Sequence, residues 1–332
     1  MAALIVLLPM AALFQTAAIG DSGAMVVQRG QDDQPGEPKG VFTLRLLEAP
    51  VARRDDPRAY TSIVDHLSPG TTIHRRVEIS NTTSRTLSID LYAAAASIAK
   101  RTFTYAAGRA QNELTEWTSV DHPVLKLVPD SKKTARITIR VPPTASRGER
   151  YGVVWAEVAS TGAGTVKVVN RVGIRIYLDV GPGGEPPSAF EILELVPARS
   201  AQGEPQLTAH IRNTGERALE ITGQLWLSNG PAGLQAGPFA VPPGTSLLPG
   251  DTAQVTATLD KQLPDGPWQA RLWLRSGRVE HTATGTITFP AAGVGKAINL
   301  NASHIPFYVA AVAVLACMMI LFIVRRRRVR TR

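Results

Sequence analysis

The side chains able to do chemistry are few and scattered. His66, His74, His122, His210, His281 and His304 never fall at ligand spacing on one helical face, so they form no recognisable metal site. Asp55-Asp56 lies in the run Arg53-Arg54-Asp55-Asp56-Pro57-Arg58. Neighbouring arginines neutralise the pair there, which predicts a solvated loop rather than a calcium site. Asp121 and Glu157 could act as acid and base only if the fold joined them, and nothing in the sequence does so. There is no His-Glu-x-x-His, Gly-x-Ser-x-Gly or Cys-x-x-Cys, and no phosphate-cradling glycine loop. No catalytic residue, metal ligand or cofactor site is therefore assigned. The residues describe a binding protein, not an enzyme.

Aromatic side chains are the better candidates for contact. Phe103, Tyr105 and Trp117 bracket a polar stretch, residues 106–116, between two strand-like runs. A loop flanked in this way can stack on sugar rings or seat a partner's side chain. Trp155 and Tyr177 lie in strongly alternating runs and are expected in a core.

The elements that must position these residues are strands. Ala135, Ile137, Ile139 and Val141 alternate with Thr134, Arg136, Thr138 and Arg140, and Leu87, Ile89 and Leu91 with Ser88, Asp90 and Tyr92. Period-2 alternation of this kind marks half-buried antiparallel strands. Residues 181–187 hold glycine and proline at a density no strand or helix survives, so they are read as a linker. Alternation then resumes: Leu219, Ile221, Gly223, Leu225 and Leu227 share one face, as do Trp268, Ala270, Leu272 and Leu274. The expected fold is all-β, with two tandem immunoglobulin-like β-sandwich domains at 40–181 and 189–290 joined by 182–188. The segment Val77 to Ile89 matches Ala209 to Ile221 at six of thirteen positions, including Asn81-Thr82 against Asn213-Thr214. That match predicts a structural repeat.

Topology signals frame the sandwiches. Residues 305–324 carry no charge and are long enough to cross about 30 Å of hydrocarbon as a helix. Arg325, Arg326, Arg327, Arg328 and Arg330 follow at once, and the positive-inside bias keeps such a cluster cytoplasmic. An apolar segment within residues 1–24 reads as a signal peptide, 25–39 as a flexible leader and 291–304 as a tether to the membrane. The middle of the chain is thus expected to be extracellular on a single-pass cell-membrane protein. Lysine and arginine number 36 against 27 acidic residues, but six arginines lie in the last eight positions. The remainder is nearly balanced, which excludes a nucleic-acid surface. The single cysteine, Cys317, lies in the apolar span, so no disulfide staples the sandwiches.

Several segments together resemble the WxL-interacting proteins, membrane-anchored surface proteins of Gram-positive bacteria. They are Ser68-Pro69-Gly70 leading into Arg76 to Asn81, residues 93–97, Thr102 to Tyr105, Trp117, Leu127-Val128-Pro129, Ile137 to Pro142 and Gly148 to Val154. The resemblance covers residues 41–180 and implies that the first domain docks on peptidoglycan and the second on another protein. The expected function is non-enzymatic binding of wall peptidoglycan or a surface-protein partner. Three other readings stay open: a chaperone-like assembly factor that lends a sheet edge to a client, a structural stalk without a ligand, and a wall hydrolase, against which the missing catalytic set counts.

Overall fold

The computed structural model describes residues 41–161 and 167–300. The expected signal peptide, leader, membrane span and basic tail lie outside the described residues. Among the described residues, no helix is long and apolar enough to cross a membrane.

Among the described residues strands dominate. In the first half run β1 (Phe42–Leu46), β2 (Ile63–Leu67), β3 (Thr72–Asn81), β4 (Leu87–Ala99), β5 (Thr102–Tyr105), β6 (Thr118–Val120), β7 (Val124–Leu127), β8 (Ser131–Arg140), β9 (Gly148–Thr161) and β10 (Lys167–Val180). Two 3-10 turns (Val51–Arg53 and Pro57–Tyr60) and one short α-helix, α1 (Glu113–Glu116), interrupt them, the last capped by Asn112, whose side chain accepts from Thr115 N. The second half holds β11 (Phe190–Arg199), β12 (Pro205–Asn213), β13 (Leu219–Ser228), β14 (Ala236–Leu247), β15 (Thr252–Thr258), β16 (Trp268–Ser276), β17 (Val279–Ile287), β18 (Gly293–Val294) and β19 (Ile298–Asn299).

These strands form four sheets in two facing pairs. In the first half a sheet ordered β1-β3-β8-β6 faces one ordered β2-β10-β9-β4-β5, with β7 on β4. Leu44, Val77, Ile79, Ile137 and Ile139 of the one meet Ile89, Leu91, Val154, Ile174, Ile176 and Leu178 of the other in a single core. In the second half β15-β12-β11-β18, with β19 also on β11, faces β14-β13-β16-β17. Its core gathers the alternating apolar rows, among them Leu219, Ile221, Leu225, Leu227, Trp268, Ala270, Leu272 and Leu274. Alternation thus becomes burial directly: the row that is apolar in sequence is the row that leaves water.

Three stretches differ from expectation. The linker, expected at 182–188, is fastened at its end: Pro187 O accepts from Glu216 N (2.8 Å), and Ala189 O just beyond it accepts from Thr214 N and Gly215 N (3.0 Å each). A Cβ at Gly215 would lie 2.4 Å from Ala189 N, so the linker is seated on backbone where only glycine leaves room. The stretch read as a tether begins as sheet, since β18 and β19 pair with β11 and Leu300 N donates to Leu193 O at 2.9 Å. The Asp55-Asp56 run is solvated only in part: Arg54 and Asp55 are exposed, but Arg53 and Asp56 are not. Asp56 is 1% exposed and Arg53 7%, because this segment lies between the two halves. Asp56 accepts from Arg58 N, Nε and Nη2, while Asp55 pairs with Arg278 of the second half at 2.6 Å.

Candidate functional site

β9 and β10 make a long hairpin paired from Gly148–Val180 through to Thr161–Lys167. On its other side β10 meets β2 only over Ile176–Val180, in parallel register with Ile63–Leu67. Residues 167–175 of β10 therefore pair with β9 alone among the described residues. Their outward N–H and C=O groups form an open template for another strand. Val168 and Val169 lie on this stretch, 43% and 41% exposed, one on each face of the hairpin. Val172 follows half-buried against the first core, then Ile174 fully within it. The open edge thus runs from two solvent-exposed valines into the mouth of a core.

The opposite face of this sheet is aromatic. Tyr105 meets Trp155 at 4.8 Å between ring centroids, Phe103 meets Tyr177 at 5.1 Å, and Tyr151 meets Tyr177 at 5.9 Å. Gly173 is required here, because a Cβ on it would sit 2.7 Å from the Trp155 ring that covers it. Arg171 and Arg175 on β10 lie over Trp155 and Phe103 at 5.1 and 4.9 Å. The Trp155 indole N–H and the Tyr177 hydroxyl are buried without a hydrogen-bond partner among the described residues. Burial, reinforced by the Glu220 carboxylate, pushes the Tyr177 hydroxyl far above its ordinary pKa, so it stays neutral.

The second half packs against this aromatic face through charge. Arg217, almost wholly buried, bridges Glu149 of β9 at 3.1 Å and Glu185 of the linker. Glu185 also binds Arg53 at 2.8 Å, and Glu149 accepts from Ala218 N at 2.7 Å. Arg175 pairs with Glu220 of β13, and Ser246 N donates to Arg101 O at 2.9 Å. Arg101 and Lys100, the turn between β4 and β5, both have positive φ (61° and 49°), the left-handed backbone a two-residue hairpin needs. Burial raises the Asp65 carboxyl despite its contact with Arg75 at 2.6 Å. β10 is thus braced from behind by a buried, cross-linked junction while its own edge stays open.

The expected contact aromatics are not brought together at a surface. Phe103 is buried at 4% exposure, Tyr105 is half-buried and bonded to Arg175 Nε at 3.0 Å, and Trp117 ends α1 under Arg150, whose guanidinium lies 4.9 Å from its ring. Trp155 and Tyr177 are buried, although on the outer face of the sheet rather than between the sheets. Asp121 and Glu157 remain apart: Asp121 accepts from Arg136 N, and Glu157 from the Tyr92 hydroxyl. Sequence reasoning missed Val168 and Val169. Their signal was a break in alternation, two adjacent apolar residues that must point to opposite faces.

No protein-family model matches the chain, and no curated protein matches it in sequence. Among solved structures, the Pseudomonas aeruginosa CupB2 chaperone is 12% identical, covering 68% of this chain and 97% of that one at a TM-score of 0.37. The Salmonella enterica SafA pilin in complex with the SafB chaperone gives 10% identity, 68% and 93% coverage and a TM-score of 0.38. The CsuC–CsuE chaperone–tip adhesion subunit complex of Acinetobacter baumannii gives 14%, 67%, 94% and 0.35.

Proposed function

We propose that this chain is an extracytoplasmic, chaperone-like assembly factor that binds an extended segment of a client protein along residues 168–175 of β10. The observation that carries this reading is the half-open strand itself. A 14-residue strand that is paired on both sides over five residues and on one side over the rest offers a ready ladder to a newcomer. Main-chain bonds would supply affinity, and the apolar row Val168, Val172 and Ile174 would select alternating apolar side chains. The surrounding scaffold is read as two immunoglobulin-like sandwiches, exported and moored by residues 305–324 with the arginine cluster inside. Anchoring concentrates the edge near clients emerging at the membrane.

Docking on peptidoglycan through Phe103, Tyr105 and Trp117, the expectation from the resemblance to WxL-interacting proteins, draws less support. Phe103 is buried and Trp117 packs half-buried against the first core, so the three rings present no common shelf.

The test uses the detergent-solubilised full chain and a peptide of eight residues alternating valine and threonine. Hydrogen exchange should show the outward amides of 168–175 exchanging fast alone and slowly with peptide. Asn170→Pro and Arg171→Pro divide the question, because consecutive residues direct their N–H groups to opposite sides of a strand. One variant removes a donor from the open edge, the other from the β9 ladder. The first should abolish peptide binding with the fold intact. Peptide protection elsewhere, or none in the unaltered chain, would overturn the reading.

A further inference from the structure

The outward face of the second half's β14-β13-β16-β17 sheet carries a second recognition surface, independent of the β10 edge. Trp226 on β13 stands opposite Arg271 on β16, and Trp273 on β16 stands opposite Gln224, so the two indoles are diagonal neighbours. Neither indole points into the core, whose contribution from these strands is the alternate row of leucines. Both stay half-exposed in a face that also carries Gln224, Gln269, Glu280, Thr282, Thr284 and Thr286, all exposed, with Glu280 opposite Arg275. Arg271 lies over the Trp226 ring at 4.2 Å, and Arg275 over Trp273 at 5.0 Å. Trp273 Nε1 is satisfied by Glu280 at 3.0 Å. Among the described residues neither Arg271 nor Arg275 pairs with a carboxylate within salt-bridge distance, although other arginines of the second half do. A shallow groove opens beside Trp226, lined also by Ser228, Gln235, Gly237 and Arg271.

We infer that this face binds a linear acidic polysaccharide. Two half-exposed indoles on adjacent strands, each flanked by an arginine, can contact the apolar faces of successive sugar rings. Rows of threonine and glutamine supply hydroxyl and amide partners along the same line. Arg275 stands opposite Glu280, whereas Arg271 is exposed and has no carboxylate partner among the described residues, so a uronic carboxylate beside the stacked ring would meet Arg271 in the geometry a planar fork prefers. A neutral glycan would leave that positive charge unanswered. A lipid surface would call for exposed aliphatic side chains in place of the threonine rows.

The experiment titrates the detergent-solubilised full chain with tetragalacturonate at about 0.15 M salt, where the interaction of a distant exposed charge cluster is largely screened. The readout is tryptophan fluorescence, with cellotetraose as the neutral control. Tetragalacturonate should quench saturably and cellotetraose should not. Trp226→Ala and Arg271→Gln should each weaken binding about fivefold or more, the loss of roughly 1 kcal/mol or more of stacking or charge-assisted contact. Trp226→Phe, which keeps a ring, should retain binding within about twofold. Val168→Glu should bind as the unaltered chain does, which separates this site from the strand edge. Absence of saturable quenching, or undiminished affinity in Trp226→Ala, would overturn the inference. So would Trp226-dependent binding to phosphatidylglycerol vesicles without binding to tetragalacturonate.

Discussion

Asn81 and Asn213 make the same hydrogen bonds in the two halves of the chain. Each donates through Nδ2 to the carbonyl four residues ahead, Arg85 O and Arg217 O, both at 2.8 Å. Each also donates to a carbonyl on another strand, Leu127 O at 3.1 Å and Leu247 O at 3.0 Å. Each accepts through Oδ1 from the N–H two residues on, Thr83 N and Gly215 N, at 2.9 Å. Both side chains are wholly buried. One amide thus closes a turn and ties it to a neighbouring strand, twice.

Removing either amide strands several buried backbone groups at once. Asn81→Ala and Asn213→Ala should each cost about 2–4 kcal/mol in urea-monitored unfolding. Because the two sites share no partner, their effects should add in the double variant.

Arg217 holds the junction from one side. Arg217→Ala leaves Glu149 buried without its cation, a loss of about 3–5 kcal/mol on the scale of broken buried pairs. Limited proteolysis should then cut within 181–189 faster than in the unaltered protein. Arg217→Lys should give only partial recovery, since it keeps the charge but not the fork that reaches Glu149 and Glu185 together.

Acid should loosen the same junction. Partial burial works to raise the Glu185 carboxyl, but the hydrogen bond from Arg53 and the charges of Arg217 and Arg53 outweigh it and hold the group below its ordinary value of 4.5. A carboxyl with a depressed folded pKa adds stability above its unfolded value and loses it as pH falls through the folded one. Thermal stability should therefore fall as pH is taken below about 4.5, and Glu185→Gln should flatten that part of the profile. Asp65, raised by burial, acts in the opposite sense. Asp65→Asn should make the acid decline steeper.

Gly173 sets the aromatic face behind the open strand. Gly173→Ala must displace the Trp155 ring, since the new methyl would sit 2.7 Å from it. A loss of about 1–3 kcal/mol and a shift in tryptophan emission are expected.

The strands were legible because burial on one face writes a period of two into the chain, as in Ala135, Ile137, Ile139 and Val141, all 3% exposed or less. The Asn-Thr repeat was legible because its turn demands the same side chain in both halves. The junction was not. Arg53, Glu149, Glu185 and Arg217 are far apart in sequence, and charges in loops read as solvated until another surface covers them. The edge of β10 was hidden for a related reason: alternation reports which face is buried, not which flank lacks a neighbour. Phe103 misled in the same way, an aromatic beside a polar loop that turns inward onto Tyr177.

The parallel start of β2 gives the open strand a stop. Ile63 occupies the position beside Ile176, so a segment laid along residues 168–175 meets occupied backbone at that end. The vacancy measures about 26 Å at the ordinary rise per residue. Collision with Ile63 would then act as a ruler, fixing how far any bound segment slides and hence which of its side chains reach Val172 and Ile174.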